Sequence, residues 1–444
     1  MKNITLQNRL SQEIFNGSQK FTSELSRPHQ FNMREILRGI MLSGSTLLSR
    51  IVRANGNETN ERKAVERLSN ALEHMPVDTF AEIHAQSVAC QYRDEPILIL
   101  SDGGDIQKPY SKKMEKVGSA VDGSDGHSPG TGYPLHSLMV FGINSERLSP
   151  LALRLYSTLD EDFKSAWDEE RKDFDLVRYF IESSPFDRIF VEDRGCDDEK
   201  RFLYILNELG ASFVTRIHAG TKSRKVLAQM KNGEWETIKI QELAQKLKSK
   251  SGKSRTWFNK KINKELTSNI AFAKVFLPTH PEIPLYALFC YSEGFAEPLV
   301  VLTDLKTDSY ETAWKHFFYY KKRWEVENFY RGIKQQFGAE EFLILGFQKI
   351  KALMFLVMLA YSSLMRIKQK ALEFFGLIYE FFKAFCHQRQ LSGTHHLDVL
   401  AFLRYEIKKS DSGGYYRFYS RQFRKNLISS TKFQLQIFDW RKIW

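Results

Sequence analysis

Residues Glu95–Ile106 read EPILILSDGGDI. Four consecutive apolar residues, Ile97–Leu100, are the length and composition of a buried strand, and Ser101, Asp102, Gly103 and Gly104 punctuate its end. The expected strand therefore stops at Leu100 and presents Asp102 just beyond it. A second stretch repeats the device: in FDRIFVEDRGCDDEKRF, Phe186–Phe202, a short strand over Ile189–Val191 opens into Asp193, Arg194 and Gly195 and then into a helix. A lone Asp after a strand is an ordinary turn former. Glycine beside it also permits close approach of a ligand, and a carboxylate at such a position can reach a metal ion.

Between and after these two blocks the pattern alternates. GSAVDGSDG (118–126) and YPLHSLMVFG (133–142) read as the next two strands of a meander, which SPLALRLYS (149–157) extends. The segment 161–184 reads as helical, and ASFVTRIHAG (211–220) as a further strand. Three strands, helix, strand, helix, strand is a mixed α/β sheet on the ribonuclease H-like plan. Residues 220–305 interrupt that plan with a basic, Ser-rich section, QKLKSKSGKSRTWFNKKINK, and with the β-like runs AFAKVFL, PLYALFCYSEG and PLVVLTDL. They are expected to form an inserted β-rich subdomain. The expected division is a helical N-terminal region (1–90) whose basic tint points to DNA binding, a mixed α/β core (91–219 and 306–350), the insertion (220–305) and a helical C-terminal region (351–444), whose tail from about Ser410 is basic and aromatic.

With 444 residues, 42% of them hydrophobic, the chain has the material for several domains and a substantial core, and disorder is excluded as its general state. A formal charge of +12 favours polyanionic partners, nucleic acid before an anionic membrane surface. Cys90, Cys196, Cys290 and Cys386 are scattered and form no CxxC pair, which argues against a zinc knuckle or a disulfide framework and fits a reducing cytoplasm. His395 and His396 are adjacent and read as loop or surface residues. The N-terminus has no apolar signal core, and the most apolar run, ALMFLVMLAYSSLM (352–365), is short for a bilayer span and reads as a buried helix.

The stretch YYKKRWEVENFYRGIKQQF, Tyr319–Phe337, is the most informative. The helix containing it is expected to start at an Asp308 N-cap with Glu311 as capping-box partner, and to run uninterrupted to Gly332. At roughly 100° per residue Tyr320, Arg323, Glu327 and Lys334 share one arc, while Val326, Phe329, Tyr330, Ile333 and Phe337 form the adjoining core stripe. Glu325 points elsewhere. A plain salt-bridge face, Arg323 with Glu327 and Glu327 with Arg331, is the mundane alternative. Asp102, Asp193 and Glu327 together make three hard oxygen donors, a composition that suits Mg²⁺ or Mn²⁺ over zinc. Asp105 competes with Asp102 for the first position. Glu192, Asp197 and Asp198 crowd Asp193, and Asp122 and Asp125 read as turn residues.

The spacing Tyr320-x2-Arg323-x3-Glu327-x6-Lys334 resembles the Tyr-Arg-Glu-Lys signature of bacterial insertion-sequence transposases of the DDE type, and SDGGDI and FVEDRGCDDEKRF resemble that family's two acidic blocks. The resemblance covers about Ile97–Leu345. It implies cut-and-paste transposition with Asp102, Asp193 and Glu327 as the metal-binding catalytic triad and two Mg²⁺ or Mn²⁺ ions. It also implies phosphate contacts from Tyr320, Arg323 and Lys334. The implied partners are double-stranded DNA, both terminal inverted repeats and target, and a second copy of the chain in a synaptic homodimer, with no membrane and a cytoplasmic, nucleoid-associated location. An aromatic of the insertion, Trp235 or Trp257, is expected to steady a flipped base. The alternatives are a metal-dependent DNA endonuclease on the same fold and a catalytically decayed, transposase-derived DNA-binding protein.

Overall fold

A computed structural model describes residues 14–374 apart from 57–59, 123–127, 231 and 260–261. Asp125, the His395–His396 pair, Cys386 and the basic aromatic tail lie outside the described residues. The chain divides into two compact units, one drawn from residues 1–80, 110–115 and 331–444, the other from 81–109 and 116–330.

The first unit is helical. Its elements are α1 (Arg27–Ser43), α2 (Leu48–Asn55), α3 (Glu61–Glu73), the start of α4 (Val77–Ala89), the end of α10 (Trp324–Phe337) and α11 (Phe347–Phe374). Proline at the start of α1 and left-handed Gly44 and Gly56 after α1 and α2 set those helix ends. Over Ala352–Leu364 helix α11 is almost wholly apolar and is buried, packing on α1 and α3, as the sequence pattern requires of such a helix. Phe355 packs against Phe21 and Phe80 with ring centroids 6.0 and 5.9 Å apart. Where α10 ends, Thr46 donates to the Gly338 carbonyl at 2.5 Å and Arg50 pairs with Glu341 at 3.0 Å.

The second unit is built on β-structure. Among the described residues its strands are β1 (Ile97–Gln107), β2 (Gly118–Asp122), β3 (Ser128–Gly142), β4 (Leu148–Leu155), β5 (Arg188–Glu192), β6 (Ser212–Ile217), β7 (Lys225–Gln229), β8 (Trp235–Lys239), β9 (Gly252–Asn259), β10 (Lys264–Leu277), β11 (His280–Ser292) and β12 (Leu299–Thr303). They form one sheet in the order β2-β3-β1-β5-β6-β12-β11-β10-β7-β8, with β4 on β3 and β9 on β10. Strands β1, β5 and β6 are parallel neighbours and β3 is antiparallel to β1, an arrangement consistent with the ribonuclease H-like plan. The strands of 220–305 prolong this same sheet, because β12 pairs antiparallel with β6 over Val300–Thr303. Helices α5 (Ala166–Asp175), α6 (Arg178–Ser183), α7 (Glu199–Leu203) and α8 (Ile240–Leu247) supply residues such as Phe174, Phe180, Phe202 and Leu243, which join Phe190 and Phe213 of the sheet in the core.

Three expectations about boundaries are corrected. β1 does not stop at Leu100: it pairs with β3 from Ile97↔Gly142 to Gln107↔Gly132, while its parallel pairing with β5 ends at Leu100↔Val191. The unbroken ladder to β3 outweighs the weak strand preference of two glycines. The helix expected from Asp308 begins one residue later, with Ser309 as N-cap and Thr312 completing the capping box. Asp308 pairs instead with Lys306, and Glu311 with Lys253 and Arg255. That helix is also two: α9 (Tyr310–Lys322) and α10 meet at Arg323. There the Arg323 amide donates to the Tyr320 carbonyl at 3.0 Å and the Val326 amide to the Arg323 carbonyl at 2.9 Å, a local tightening of the α-helical pattern.

In α9, burial and the neighbouring Lys315 lower the buried His316 to a pKa of about 4. The imidazole charges more readily in the unfolded chain, near pH 6.5, so its contribution to stability is intact above about 6.5 and is lost as pH falls towards 4. We expect His316→Gln to flatten the pH dependence of urea unfolding across that window, by at most about 3 kcal/mol. Parallel wild-type and variant curves would refute it.

Candidate active site

Just past the last β1–β5 pair, β1 carries Asp102, opposite Ser137 of β3, and β5 leads into Asp193, which starts the short turn Arg194–Cys196. Parallel neighbours thus deliver two carboxylates just beyond their last shared pair. Glu327 comes from the first turn of α10. The three converge on one guanidinium. Arg323 Nη1 donates to Asp102 Oδ2 at 2.5 Å, and its Nη2 donates to Glu327 Oε1 at 2.6 Å and stands 3.7 Å from Asp193 Oδ2. Tyr320, buried, donates its hydroxyl to Asp193 Oδ1 at 3.1 Å, and Arg216 of β6 lies 3.5 Å from the same oxygen.

The electrostatics differ among the carboxylates. Burial raises Asp102 to about 6; Arg323 opposes the rise, while the negative charges of Asp193 and Glu327 add to it. Burial also pushes Asp193 upward, but Arg323, the Arg194 amide, Arg216 and the Tyr320 hydroxyl together hold it below the usual aspartate value. Burial and the charge on Asp193 raise the Tyr320 phenol to about 12, which keeps it a hydrogen-bond donor at neutral pH.

Tyr330 was expected only as a member of the core stripe, yet its hydroxyl donates to the Asp102 carbonyl at 2.9 Å. Its ring explains one glycine. A Cβ on Gly104 would fall 2.7 Å from that ring, so the space at Gly104 accommodates protein, whereas Gly103 faces no such neighbour. Arg216 was visible only as the basic letter in FVTRI; nothing in a strand pattern says that it will reach Asp193.

The competing acidic residues have other employment. Asp105 stands three residues from Asp102 on a regular strand and so faces the other side of the sheet, where Gln107 donates to it at 2.8 Å. Glu192 is fully buried beside Arg201, Asp197 pairs with Arg224 at 2.7 Å, and Asp198 caps α7 through the Lys200 amide at 3.0 Å. Glu325 accepts from Asn328 at 3.0 Å. Lys334 lies in the portion of α10 assigned to the helical unit and pairs with Glu340 at 3.0 Å. On the reverse face of β1, Ser101 Oγ meets His136 Nε2 at 3.1 Å, His136 Nδ1 meets Asp173 at 2.8 Å, and Arg154 pairs with Asp173 at 2.8 Å. Ser101, His136 and Asp173 are all buried, so this chain braces the strand behind Asp102 and offers no exposed nucleophile.

Among the described residues no three Asp, Glu, His or Cys side chains stand in metal-holding geometry. At this site Arg323 lies among the three carboxylates. In kind the donors do suit a hard divalent cation: three carboxylates against Arg323 and Arg216 leave a net negative charge at a partly buried spot. Asp102, Asp193 and Glu327 are the residues that would hold such an ion.

Residues 166–363 match the family model described as Transposase DDE domain. The matched span contains Asp193, Tyr320, Arg323 and Glu327, and the β1–β5 pairing brings Asp102 to it from outside. No curated protein matches the chain. The match covers less than half of the chain, and that stretch is similar to the DDE domain of transposases.

Proposed function

We propose that the chain is an insertion-sequence transposase that cuts element ends and joins them to target DNA, with Asp102, Asp193 and Glu327 as its catalytic carboxylates. The observation that carries this reading is the meeting of three carboxylates, from β1, from the turn after β5 and from α10, around Arg323. A divalent metal, when bound there, would supply Lewis-acid stabilisation of charge on phosphate oxygens and lower the pKa of an attacking hydroxyl. The chain's own side chains do the rest. Tyr320 fixes Asp193 by its hydrogen bond, Tyr330 fixes the backbone of Asp102, and Arg323 and Arg216 hold positive charge where a DNA phosphate must approach. In this reading Lys334 adds a phosphate contact, two Mg²⁺ or Mn²⁺ ions are used, and a homodimer pairs two inverted repeats. The helical region within 1–90 contributes to end binding, and the site of action is the cytoplasmic nucleoid. The test is a reaction of purified protein, Mg²⁺, a duplex carrying the element's terminal repeat and a target plasmid. Joined strand-transfer products are expected. Cutting without joining would replace the proposal with a nuclease, and end binding without cutting would point to a decayed enzyme.

Among the insertion's aromatics exposure favours Trp235 for holding an unstacked base. Trp235 is 45% exposed against 8% for Trp257, whose Nε1 is spent on Ser268 at 2.9 Å. Trp235 lines a recess with Phe272, Tyr310, Lys250 and Lys274, aromatic faces beside ammonium groups. Trp235→Ala is expected to weaken retention of cleaved ends on the order of 10- to 100-fold, the usual value of one base stacked on an aromatic ring. Unchanged retention in a gel-shift titration would remove Trp235 from this role.

A further inference from the structure

Arg323 is more than a neighbour of the three carboxylates. Its two terminal nitrogens divide them, one on Asp102 and the other shared by Glu327 and Asp193, and its side chain is only 10% exposed. A helix-surface arginine meant only for solvent or a distant phosphate would not be buried with a charged hydrogen bond on each fork. We propose, resting on the catalytic reading above, that Arg323 is the resident cation of the unloaded site. It keeps the three carboxylates assembled in the absence of metal and competes with divalent metal for the same oxygens.

The physical reasoning is one of shared acceptors. Carboxylates brought this close repel one another, and a planar guanidinium can satisfy several of them at once through divergent N–H groups. A divalent ion on those oxygens would displace these hydrogen bonds and set its charge against the guanidinium at short range. Metal therefore binds well only when Arg323 has somewhere else to go. A phosphate diester is the fitting alternative, because it accepts the same two-pronged donation. Arg216, on the other side of Asp193, remains to balance part of the charge after the exchange. DNA arrival and metal loading are thereby coupled through one side chain, which would suppress metal-dependent cutting by protein that has not engaged DNA.

The experiment measures Mn²⁺ binding to the full chain without DNA, by the electron paramagnetic resonance signal of the free ion. Arg323→Gln is expected to bind Mn²⁺ on the order of tenfold tighter than wild type, the scale of one charged hydrogen bond no longer opposing the metal. Arg323→Lys, whose single ammonium cannot fork, should also bind more tightly than wild type. Equal or weaker Mn²⁺ binding by folded Arg323→Gln overturns the proposal, and if circular dichroism shows that variant unfolded, Arg323→Lys decides by the same criterion. Adding Glu327→Gln to whichever variant folds separates the two levels. Mn²⁺ binding that ignores this change sinks the catalytic reading as well. Mn²⁺ binding lost with Glu327→Gln but not strengthened at Arg323 sinks only the exchange.

Discussion

Glu327→Gln should, if Glu327 is the metal ligand proposed above, lower Mg²⁺-dependent cleavage of element ends by about 10³-fold or more, because losing a charged ligand at a metal-assisted displacement removes transition-state stabilisation that nothing else replaces. Glutamine keeps the shape and one acceptor oxygen, so it can still accept from Arg323. Asp102 and Asp193 remain on the same guanidinium, and the helix joint is held by backbone bonds that do not involve residue 327. The variant should therefore keep the wild-type melting profile while losing catalysis. Gel analysis of a labelled end duplex, run beside a circular-dichroism melt, reads both. A well-folded variant that cuts at the normal rate would remove Glu327 from the chemistry.

The second large effect is on stability. Arg201 lies buried beneath the β5 strand end: Nη1 donates to Glu170 at 2.7 Å, Nε is 3.4 Å from Glu192, and the guanidinium lies 4.7 Å from the Trp167 ring centre. Glu192 is wholly inside; burial raises it to about 7, and Arg201 is the principal force against that rise. Removing one partner of a buried ion pair strands the other, at a cost of about 3–5 kcal/mol. Arg201→Ala should accordingly lower the melting temperature by roughly 10 °C. Arg201→Met combined with Glu192→Gln should recover part of the loss, since no buried charge is then left alone. A melt of Arg201→Ala that overlays wild type would show that Glu192 is neutral or hydrated in the native protein.

Much of this architecture could be read locally. Ile97–Leu100 and Ile189–Val191 are strands because runs of β-branched, aromatic and other apolar residues pack on a pleated surface, and both are interior strands with a neighbour on each side. The core stripe Val326, Phe329, Ile333 and Phe337 is buried as helical spacing demands, and the apolar run from Ala352 to Leu364 is an interior helix. Other features were out of reach. Aspartate is a good cap and the sequence points to Asp308, yet Ser309 caps the helix through its reciprocal bonds with Thr312, a choice that turns on one residue of backbone geometry. The glycines after Asp102 looked like a strand terminator, but pairing with β3 carried the strand through them.

The chain's own order of letters determined which segments are strands and helices and which acidic residues sit at their ends, because those depend on side-chain period and on neighbours a few positions away. Only the tertiary structure decided that Arg323 would lie among carboxylates up to 221 positions distant, that Arg216 and Tyr330 would join them, and that β12 would carry the sheet on from β6. These outcomes rest on contacts between remote segments, where the gain from pairing charges and completing a hydrogen-bonded ladder is realised only after the chain has folded.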